Sequence, residues 1–260
     1  MSCVSIVIPV HDRAGLVAAA IGSVQAQEGI EAEIIVVDDG STDGTAAAVL
    51  EIARRDGRVK LLRTSRRGPA AARNAGVAEA AGDFLCFVDS DDLCPPGRIA
   101  RQAGKLALRP DVVAVVGAIL RFDSLDETGS PRPDPRHRPY HDAALHTAMF
   151  RTGQFRGYGR LDETLGFAED VDLFLRLLEA DATLLLEPEV ASFYRDHPGN
   201  MSRDLKARQQ GYVQAYARSI ARRRAAGRRI ALTSFFPAIY EQERVVGGGA
   251  GAARPKPPGP

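Results

Sequence analysis

The first 120 residues alternate between short apolar runs and segments with helical composition. The apolar runs lack alternating polar residues, which is typical of strands that are covered on both faces. Strands that alternate with helices in this way predict an α/β fold, with a mostly parallel central sheet flanked by helices. The predicted strands are 4–10, 32–39, 58–63, 83–89 and 112–120, and the predicted helices are 14–27, 41–57, 68–82 and 95–109.

The pattern changes after residue 120. Residues 123–142 are rich in Pro, Arg and Asp without periodicity, which predicts a loop. This loop is either a lid over the substrates or a connection without such a role. Residues 167–181 predict a helix, 182–195 two short strands broken at Pro188, and 204–227 a basic helix. We therefore predict a main domain over 1–202 with halves 1–120 and 121–202, a helical extension over 203–246, and a disordered Gly/Pro tail over 247–260.

The overall charge does not select a partner, but its distribution is uneven. The chain has 260 residues and a formal net charge of +1, so no global field favours nucleic acid. Residues 203–229 nevertheless hold nine Lys or Arg and one acid. Such a segment is either a solvated helix face or a surface that docks to a lipid-phosphate acceptor at an anionic membrane.

The cysteines and the N-terminus bear on the compartment. The three cysteines have no metal-site spacing, and free thiols of this kind fit a reducing compartment. The chain starts directly with an apolar strand, so we expect no signal peptide. No apolar stretch approaches the roughly 20 residues that a membrane-spanning helix needs. We expect a cytoplasmic protein with, at most, peripheral membrane contact.

Acidic side chains follow two of the predicted strands. Asp38 and Asp39 end the second strand, and Asp89, Asp91 and Asp92 follow the strand at 83–89. In an open α/β sheet, ligands bind beyond the carboxyl ends of the strands. Bunched carboxylates attract a hard divalent cation, whose remaining positions phosphate oxygens can fill. The pattern thus favours a metal-bound diphosphate, although Asp at strand ends also caps helices and forms turns.

Several other nucleotide-binding classes are disfavoured. The chain contains no GxxxxGK[ST] motif, and "PVHDRAG" stands where a dinucleotide fold or a nucleotidyltransferase would carry a Gly-rich loop. A phospho-acceptor signalling domain would need a further Asp after the third strand, where "RVKLLRTSRR" offers none.

Four segments together resemble the ordered motifs of family 2 glycosyltransferases, over roughly residues 4–200. They are "VSIVIPVHDRAGLVAAAIGSVQAQ", "EIIVVDDGSTDGT", "GPAAARNAGVAEAAGDFLCFVDSDDL" and "LDETLGFAEDVDLFLRLLEAD". The resemblance implies a GT-A fold and the transfer of a sugar, with inversion, from a nucleoside-diphosphate sugar. In this family the donor is usually a UDP-sugar. It also implies Mn²⁺ or Mg²⁺, a saccharide or lipid-linked acceptor, and a role in cell-surface polysaccharide or glycolipid synthesis.

The resemblance assigns roles to individual residues. It places Pro9, Val10 and His11 against the nucleoside, Asp39 at the base, and Arg73, Asp89 and Ser90 at the nucleotide. It gives Asp91, Asp92 and His197 to the metal, and Glu169 and Asp170 to catalysis, with Asp170 as the base. The motif before the "DE" pair departs from the family, because "GYGRLDE" carries Arg160 in place of an aromatic residue.

Inverting transfer needs one carboxylate base. Asp170 lies off the polar stripe of its helix, and a helix N-terminus favours the ionised form, so we expect an ionised but weakly basic group. The alternatives are a solvated first turn, or a non-catalytic sugar-nucleotide-binding domain of a larger assembly. Apart from His197, the histidines, which are His11, His137, His141 and His146, are expected to be solvated or to lie in loops.

Overall fold

The computed structural model describes residues 3–127, 129–133, 137–227 and 244–246. The strands are β1 (Cys3–Val10), β2 (Glu31–Asp39), β3 (Val59–Thr64), β4 (Phe84–Phe87), β5 (Ala114–Leu125), β6 (Pro131–Pro133), β7 (Ala148–Arg151), β8 (Leu184–Arg195) and β9 (Arg244–Val246). The helices are α1 (Val17–Gln25), α2 (Thr45–Arg55), α3 (Pro69–Glu79), α4 (Arg98–Leu108), α5 (Thr152–Gly157), α6 (Glu169–Glu179) and α7 (Leu205–Ala225).

These strands form one sheet in the order β3-β2-β1-β4-β7-β5-β8-β9, with β6 paired to β5. Strands β1 to β4 are parallel to one another, β5 is parallel to β8, and the short β7 runs antiparallel between β4 and β5. One apolar cluster covers each face of the sheet. The predicted α/β class, with a mostly parallel central sheet flanked by helices, is therefore confirmed.

The segment 123–142 is not a simple loop. Strand β5 continues to Leu125, and β6 returns antiparallel to it. Further on, Tyr140 forms a two-way backbone bridge with Ile119, with N···O distances of 2.7 and 3.1 Å. Proline-rich composition conceals this short ribbon, because a strand at the sheet margin tolerates residues without an N–H.

The predicted break at Pro188 is also wrong, because β8 is one strand. Its pairing with β5 shifts from Val116↔Leu186 to Ala118↔Val190, so that Pro188 lies in an irregularity of the ladder. A bulge of this kind accommodates a residue that cannot donate a hydrogen bond, and the strand continues beyond it.

Strand β7 and a one-turn 3-10 helix before it, Leu145–Thr147, lie in a region where the sequence predicts no element. They place His146 beneath the end of β4. The basic helix predicted over 204–227 is confirmed as α7, whereas the tail 247–260 lies outside the described residues. No helix among the described residues combines the length and the hydropathy required to cross a bilayer.

Candidate active site

A cavity of about 650 Å³ opens at the carboxyl ends of β1, β2 and β4. Its floor is formed by the loops that follow these strands, and α6 and α7 close its other side. The predicted site residues that line it are Pro9, Val10, His11, Asp39, Arg73, Asp89, Ser90, Asp91, Glu169 and Asp170. Residues from distant parts of the sequence therefore share one cleft.

The loops after β1 and β2 are tied together at one end of the cavity. His11 Nδ1 lies 2.9 Å from the backbone oxygen of Asp39. Asp12 has a left-handed backbone with φ of +48°, and its Oδ1 accepts the N–H of Thr42 at 2.8 Å. A strained non-glycine residue held by such contacts is characteristic of a functional loop.

Asp39 is buried and accepts several hydrogen bonds from the loop that leads into α3. Its Oδ2 accepts the N–H of Gly68 at 2.7 Å, and its Oδ1 accepts the N–H of Arg67 at 3.0 Å. The Thr64 hydroxyl donates to the same Oδ1 at 3.1 Å. Asp39 thus shapes the backbone at the mouth of the cavity, where the sequence predicts contact with a nucleotide base.

Arg73 connects the acidic motif after β4 with the acidic motif of α6. Its Nη2 donates to Asp89 Oδ1 at 2.8 Å, and its Nη1 donates to Glu169 Oε1 at 2.5 Å. The guanidinium is largely buried, as is Glu169. Although burial opposes ionisation, the charge of Arg73 holds the pKa of Asp89 below its ordinary value.

Asp92 does not face the cavity. Its Oδ1 accepts the N–H of Arg195 at 2.9 Å, and its Oδ2 lies 3.0 Å from His146 Nδ1. The same nitrogen lies 3.1 Å from Asp89 Oδ2. Burial, with the charges of Asp91 and Asp89, raises the pKa of Asp92 to about 6.

His146 is therefore part of the site, contrary to the expectation of a solvated loop. It is buried between two carboxylates, and His141 is buried as well, with Nε2 2.7 Å from the backbone oxygen of Glu187. Burial of His146 opposes its charge, but Asp89 and Asp92 outweigh that effect and raise its pKa to about 10. The segment shows no periodicity in sequence, so nothing there indicates burial.

Asp91 and His197 form a second cluster that the structure brings together. Asp91 Oδ2 lies 3.0 Å from His197 Nε2 and 3.5 Å from Arg13 Nε. The other ring nitrogen of His197, Nδ1, lies 3.1 Å from the backbone nitrogen of Gly199. Both partly exposed side chains are available to a ligand.

Two sets of side chains could hold a divalent cation. Asp89, Asp92 and His146 offer ligand atoms within 4.8 Å of one another, but an imidazolium and Arg73 already neutralise these carboxylates. Asp91 and His197 offer an oxygen and a nitrogen next to the cavity, a donor pair that suits Mn²⁺ and leaves positions for phosphate oxygens. The residues present fit a metal better at Asp91 and His197.

Asp170 is the second residue of α6 and lies beside the Arg73–Glu169 pair. Ala168, which precedes the helix, has a left-handed backbone with φ of +67°, which turns the chain into the helix. The Asp170 carboxylate accepts the N–H of Val171 at 2.8 Å. Burial, reinforced by the charge of Glu169, raises the pKa of Asp170 to about 8. The expected weak basicity is wrong, because desolvation outweighs the helix N-terminus.

Helix α7 closes the far side of the cavity. A Cβ on Gly211 would lie 2.6 Å from the backbone oxygen of Phe167, so the helix packs directly on the chain that precedes α6. The rings of Phe167 and Tyr212 meet edge to face at 6.3 Å. Burial, followed by the charges of Asp142 and Asp170, raises the pKa of Tyr212 to about 12.

Most of the predicted site residues are thus gathered in one cleft, with Asp92 turned away and His197 behind Asp91. The roles assigned to them stay predictions. The sequence did not indicate Arg13, which directly follows the "PVHD" loop, or the cavity-lining side chains of Arg121, Tyr140, His146, Tyr194, Arg208 and Tyr212. Arg160, which departs from the motif, is exposed and pairs with Glu163 at 2.8 Å.

The fold and the cleft are those of a GT-A glycosyltransferase. A family model for "Glycosyl transferase family 2" matches residues 5–163, and the chain belongs to that family. It is 32% identical over 222 residues to the succinoglycan biosynthesis protein ExoO of Rhizobium meliloti, covering 78% of this chain and 63% of that protein. It is also 32% identical over 222 residues to a pre-mycofactocin glycosyltransferase of Mycobacterium tuberculosis, covering 80% of this chain and 46% of the relative.

Solved structures share the fold at lower identity. The mannosyltransferase PcManGT of Pyrobaculum calidifontis, in complex with GDP-Man and Mn²⁺, has a TM-score of 0.67 at 22% identity, over 84% of this chain and 64% of that one. TarS of S. aureus, in complex with UDP-GlcNAc, has a TM-score of 0.59 at 22% identity, over 78% and 61%. The chain spans less than two thirds of the length of each of these relatives.

Proposed function

We propose that this glycosyltransferase moves a sugar, with inversion, from a nucleoside-diphosphate sugar to an acceptor hydroxyl, with Asp170 as the catalytic base. The observation that carries the proposal is the Asp170 carboxyl, whose pKa of about 8 suits a base and which lies in the same cavity as Asp91. The relatives named above favour UDP- or GDP-sugars as donors, of which we propose a UDP-sugar.

The proposed reaction is a single displacement. The carboxylate of Asp170 takes the proton from the acceptor hydroxyl, whose oxygen then bonds to the anomeric carbon of the donor sugar. The bond from that carbon to the diphosphate breaks at the same time, and its electron pair leaves with the diphosphate. Attack from the face opposite the leaving group inverts the anomeric configuration, and only one catalytic carboxylate is needed.

The remaining residues position these groups. Arg73 holds Glu169 and Asp89 in place, which fixes the start of α6 relative to the loop after β4. Asp91 and His197 would hold Mn²⁺ or Mg²⁺, which when bound neutralises charge on the leaving diphosphate. Pro9, Val10, His11, Asp39 and Ser90 would surround the nucleoside.

We also propose peripheral membrane contact through the segment 203–229, in a cytoplasmic role in cell-surface polysaccharide or glycolipid synthesis. Arg218 and Arg222 of α7 are used internally, in ion pairs with Asp162, Asp172 and Glu179. The opposite face of the helix exposes the apolar side chains of Leu205, Val213, Tyr216 and Ile220. Such a face, flanked by cations, suits the surface of a bilayer.

The test is consumption of the donor by the wild-type protein, Asp170→Asn and the surface control Asp111→Asn. Each is incubated with Mn²⁺ and UDP-, GDP- or dTDP-sugars, with and without saccharide acceptors, and nucleoside diphosphate release and product anomeric configuration are measured. We expect one donor to be consumed, with an inverted product and a loss of about 10²- to 10⁴-fold in Asp170→Asn alone. A donor that binds but is never consumed would instead support the non-catalytic sugar-nucleotide-binding domain.

A further inference from the structure

Helix α7 is fixed rigidly against α6, so the side chains that it directs into the cavity have defined positions. Arg222 donates to Glu179 at 2.6 Å and to Asp172 at 2.8 Å, and Arg218 pairs with Asp162. The close contact of Gly211 with Phe167 lies between these ion pairs and the N-terminal turn of the helix. The N-terminal turn is thereby held at the mouth of the cavity.

Arg208 differs from the arginines that anchor α7. It lines the cavity and is half-buried, yet among the described residues no carboxylate lies within ion-pair distance of its guanidinium. Asp142 and Asp170 also face this end of the cavity, but Asp142 is exposed and its Oδ1 accepts the N–H of Ala143 at 2.8 Å. A half-buried guanidinium without a protein partner is a site for an anionic ligand, above all a phosphate.

Apolar side chains border Arg208 on the outer rim. Met201 lines the cavity and is 55% exposed, and Leu205, one turn before Arg208, is 59% exposed. The rim therefore combines a cation that has no carboxylate partner within the described part of the chain with two exposed apolar side chains, and exposed apolar surface next to a cavity suits an apolar partner.

Phe167 and Tyr212 line the same cavity and pack edge to face, and the charges of both Asp170 and Arg208 act on the Tyr212 hydroxyl. Aromatic side chains of this kind offer a flat apolar face with a polar edge, which suits a sugar ring. The cation, the aromatic pair and the proposed base therefore line one cavity, with the exposed side chain of Met201 at its edge.

We infer that this end of the cavity binds a lipid acceptor whose sugar is attached through a phosphate, with the phosphate at Arg208 and the lipid chain on Met201 and Leu205. The inference rests on the proposed function and specifies the acceptor for the same site. Arg208 and Leu205 act on acceptor binding only, separately from the donor end at Asp91 and His197.

The experiment measures the binding of three water-soluble probes, hexyl phosphate, hexyl β-glucoside and inorganic phosphate, while saturating UDP and Mn²⁺ fill the donor end. Arg208→Gln is compared with Arg224→Gln, an exposed arginine at the other end of the same helix. Leu205→Gln is compared with Leu108→Gln, a leucine of α4 that is 83% exposed. Each pair makes the same chemical change at a rim position and at a remote position.

We expect the wild-type protein to bind hexyl phosphate about tenfold or more tightly than either of the other probes. Arg208→Gln should remove most of the preference over hexyl β-glucoside, and Leu205→Gln most of the preference over inorganic phosphate. The two control variants should retain both preferences within about twofold.

Three results would overturn the inference. They are equal binding of the three probes, equal effects of Arg208→Gln and Arg224→Gln, and a larger loss of UDP affinity in Arg208→Gln than in Arg224→Gln, which would assign Arg208 to the donor. A fourth probe, glucose 1-phosphate, adds one further contradicting result, because tighter binding of it than of hexyl phosphate would replace the lipid with a free saccharide phosphate. Failure of the proposed function is a separate result, because it is measured as the absence of donor consumption, whereas this experiment measures only the binding of the probes.

Discussion

Nη1 of Arg73 lies 2.5 Å from Oε1 of Glu169, and the two side chains are 96 positions apart in the sequence. The same guanidinium holds Asp89, so the motif after β4 and the motif that begins α6 share one buried cation. The loop at the donor end of the cavity and the helix that carries the proposed base are therefore joined by hydrogen bonds of one residue, Arg73. This arrangement and the packing around it lead to five predictions.

Replacing Arg73 should destabilise the protein and not only the site. Arg73→Met leaves the buried carboxylate of Glu169 without its cation, which should lower the free energy of unfolding by about 3 kcal/mol. The exposed pair of Arg67 and Glu163 is the control, and Arg67→Met should cost less than about 1 kcal/mol. Denaturant unfolding measures both. Adding Glu169→Gln to Arg73→Met should recover part of the loss, and no recovery would show that Glu169 is not its main partner.

The pH dependence should follow Asp170. The base must be ionised, so kcat/KM should rise about tenfold per unit up to a pH near 8 and then level off. A rate profile over this range with the wild-type protein checks the prediction. A plateau that begins near pH 5 would mean that the carboxyl is not desolvated in solution.

The free energy of unfolding should fall over the pH range in which kcat/KM rises. Because the pKa of Asp170 is higher in the folded state, its contribution is fully present below the ordinary pKa and is lost as the pH rises towards 8. Asp170→Asn should therefore raise the Tm at about pH 8.5, and the difference should shrink as the pH falls towards about 4. A difference in Tm that does not depend on pH would contradict a raised pKa.

The two clusters of metal-type ligands can be separated by substitution. Asp91→Asn and His197→Gln should each raise the Mn²⁺ concentration for half-maximal UDP binding by about tenfold or more. Asp92→Asn should lower the Tm, because it disturbs the buried contact with His146, while the Mn²⁺ requirement changes by less than about threefold. The reverse pattern would move the metal to Asp89, Asp92 and His146.

The contact between α6 and α7 depends on Gly211. In Gly211→Ala, the new methyl group would meet the Phe167 backbone at 2.6 Å, and overpacking should cost about 1–3 kcal/mol. Gly104 of α4 has open space around its Cβ position, so Gly104→Ala should stabilise the protein by about 0.5–1 kcal/mol. Thermal unfolding of the two variants compares them directly, and equal effects would mean that α7 can move away from α6.

The sequence predicts well those parts of the site that depend on strand ends. Asp39 and Asp89 follow apolar runs whose carboxyl ends must meet in a parallel sheet, so their proximity can be deduced without coordinates. The start of α6 is equally predictable, since its apolar stripe fixes the helix and places Asp170 in the first turn.

Other parts of the site depend on tertiary contacts that leave no local pattern. His146 lies in a single 3-10 turn whose burial results from β7 inserting between β4 and β5. Helix α7 carries arginines on several faces, so composition cannot tell that Arg222 points inward to Asp172 while Arg208 lines the cavity. The continuity of strand β8 cannot be predicted from the sequence, because Pro188 suggests a strand end. In the structure a bulge accommodates the proline within the strand.

The central claim is that Asp91 belongs to a metal-dependent donor site and Asp170 to a separate base in the same cavity. The most direct test is a thermal-shift titration of the wild-type protein, Asp91→Ala and Asp170→Asn with UDP, GDP, CDP and dTDP, with and without Mn²⁺, because a ligand of the folded state must raise the Tm. We predict that one nucleotide stabilises the wild-type protein only with Mn²⁺, that Asp91→Ala loses this shift, and that Asp170→Asn keeps it. If no nucleotide shifts the Tm of the wild-type protein at a concentration about a thousand times a micromolar Kd, that is, at about millimolar concentration, the acids at the strand ends do not form a donor site.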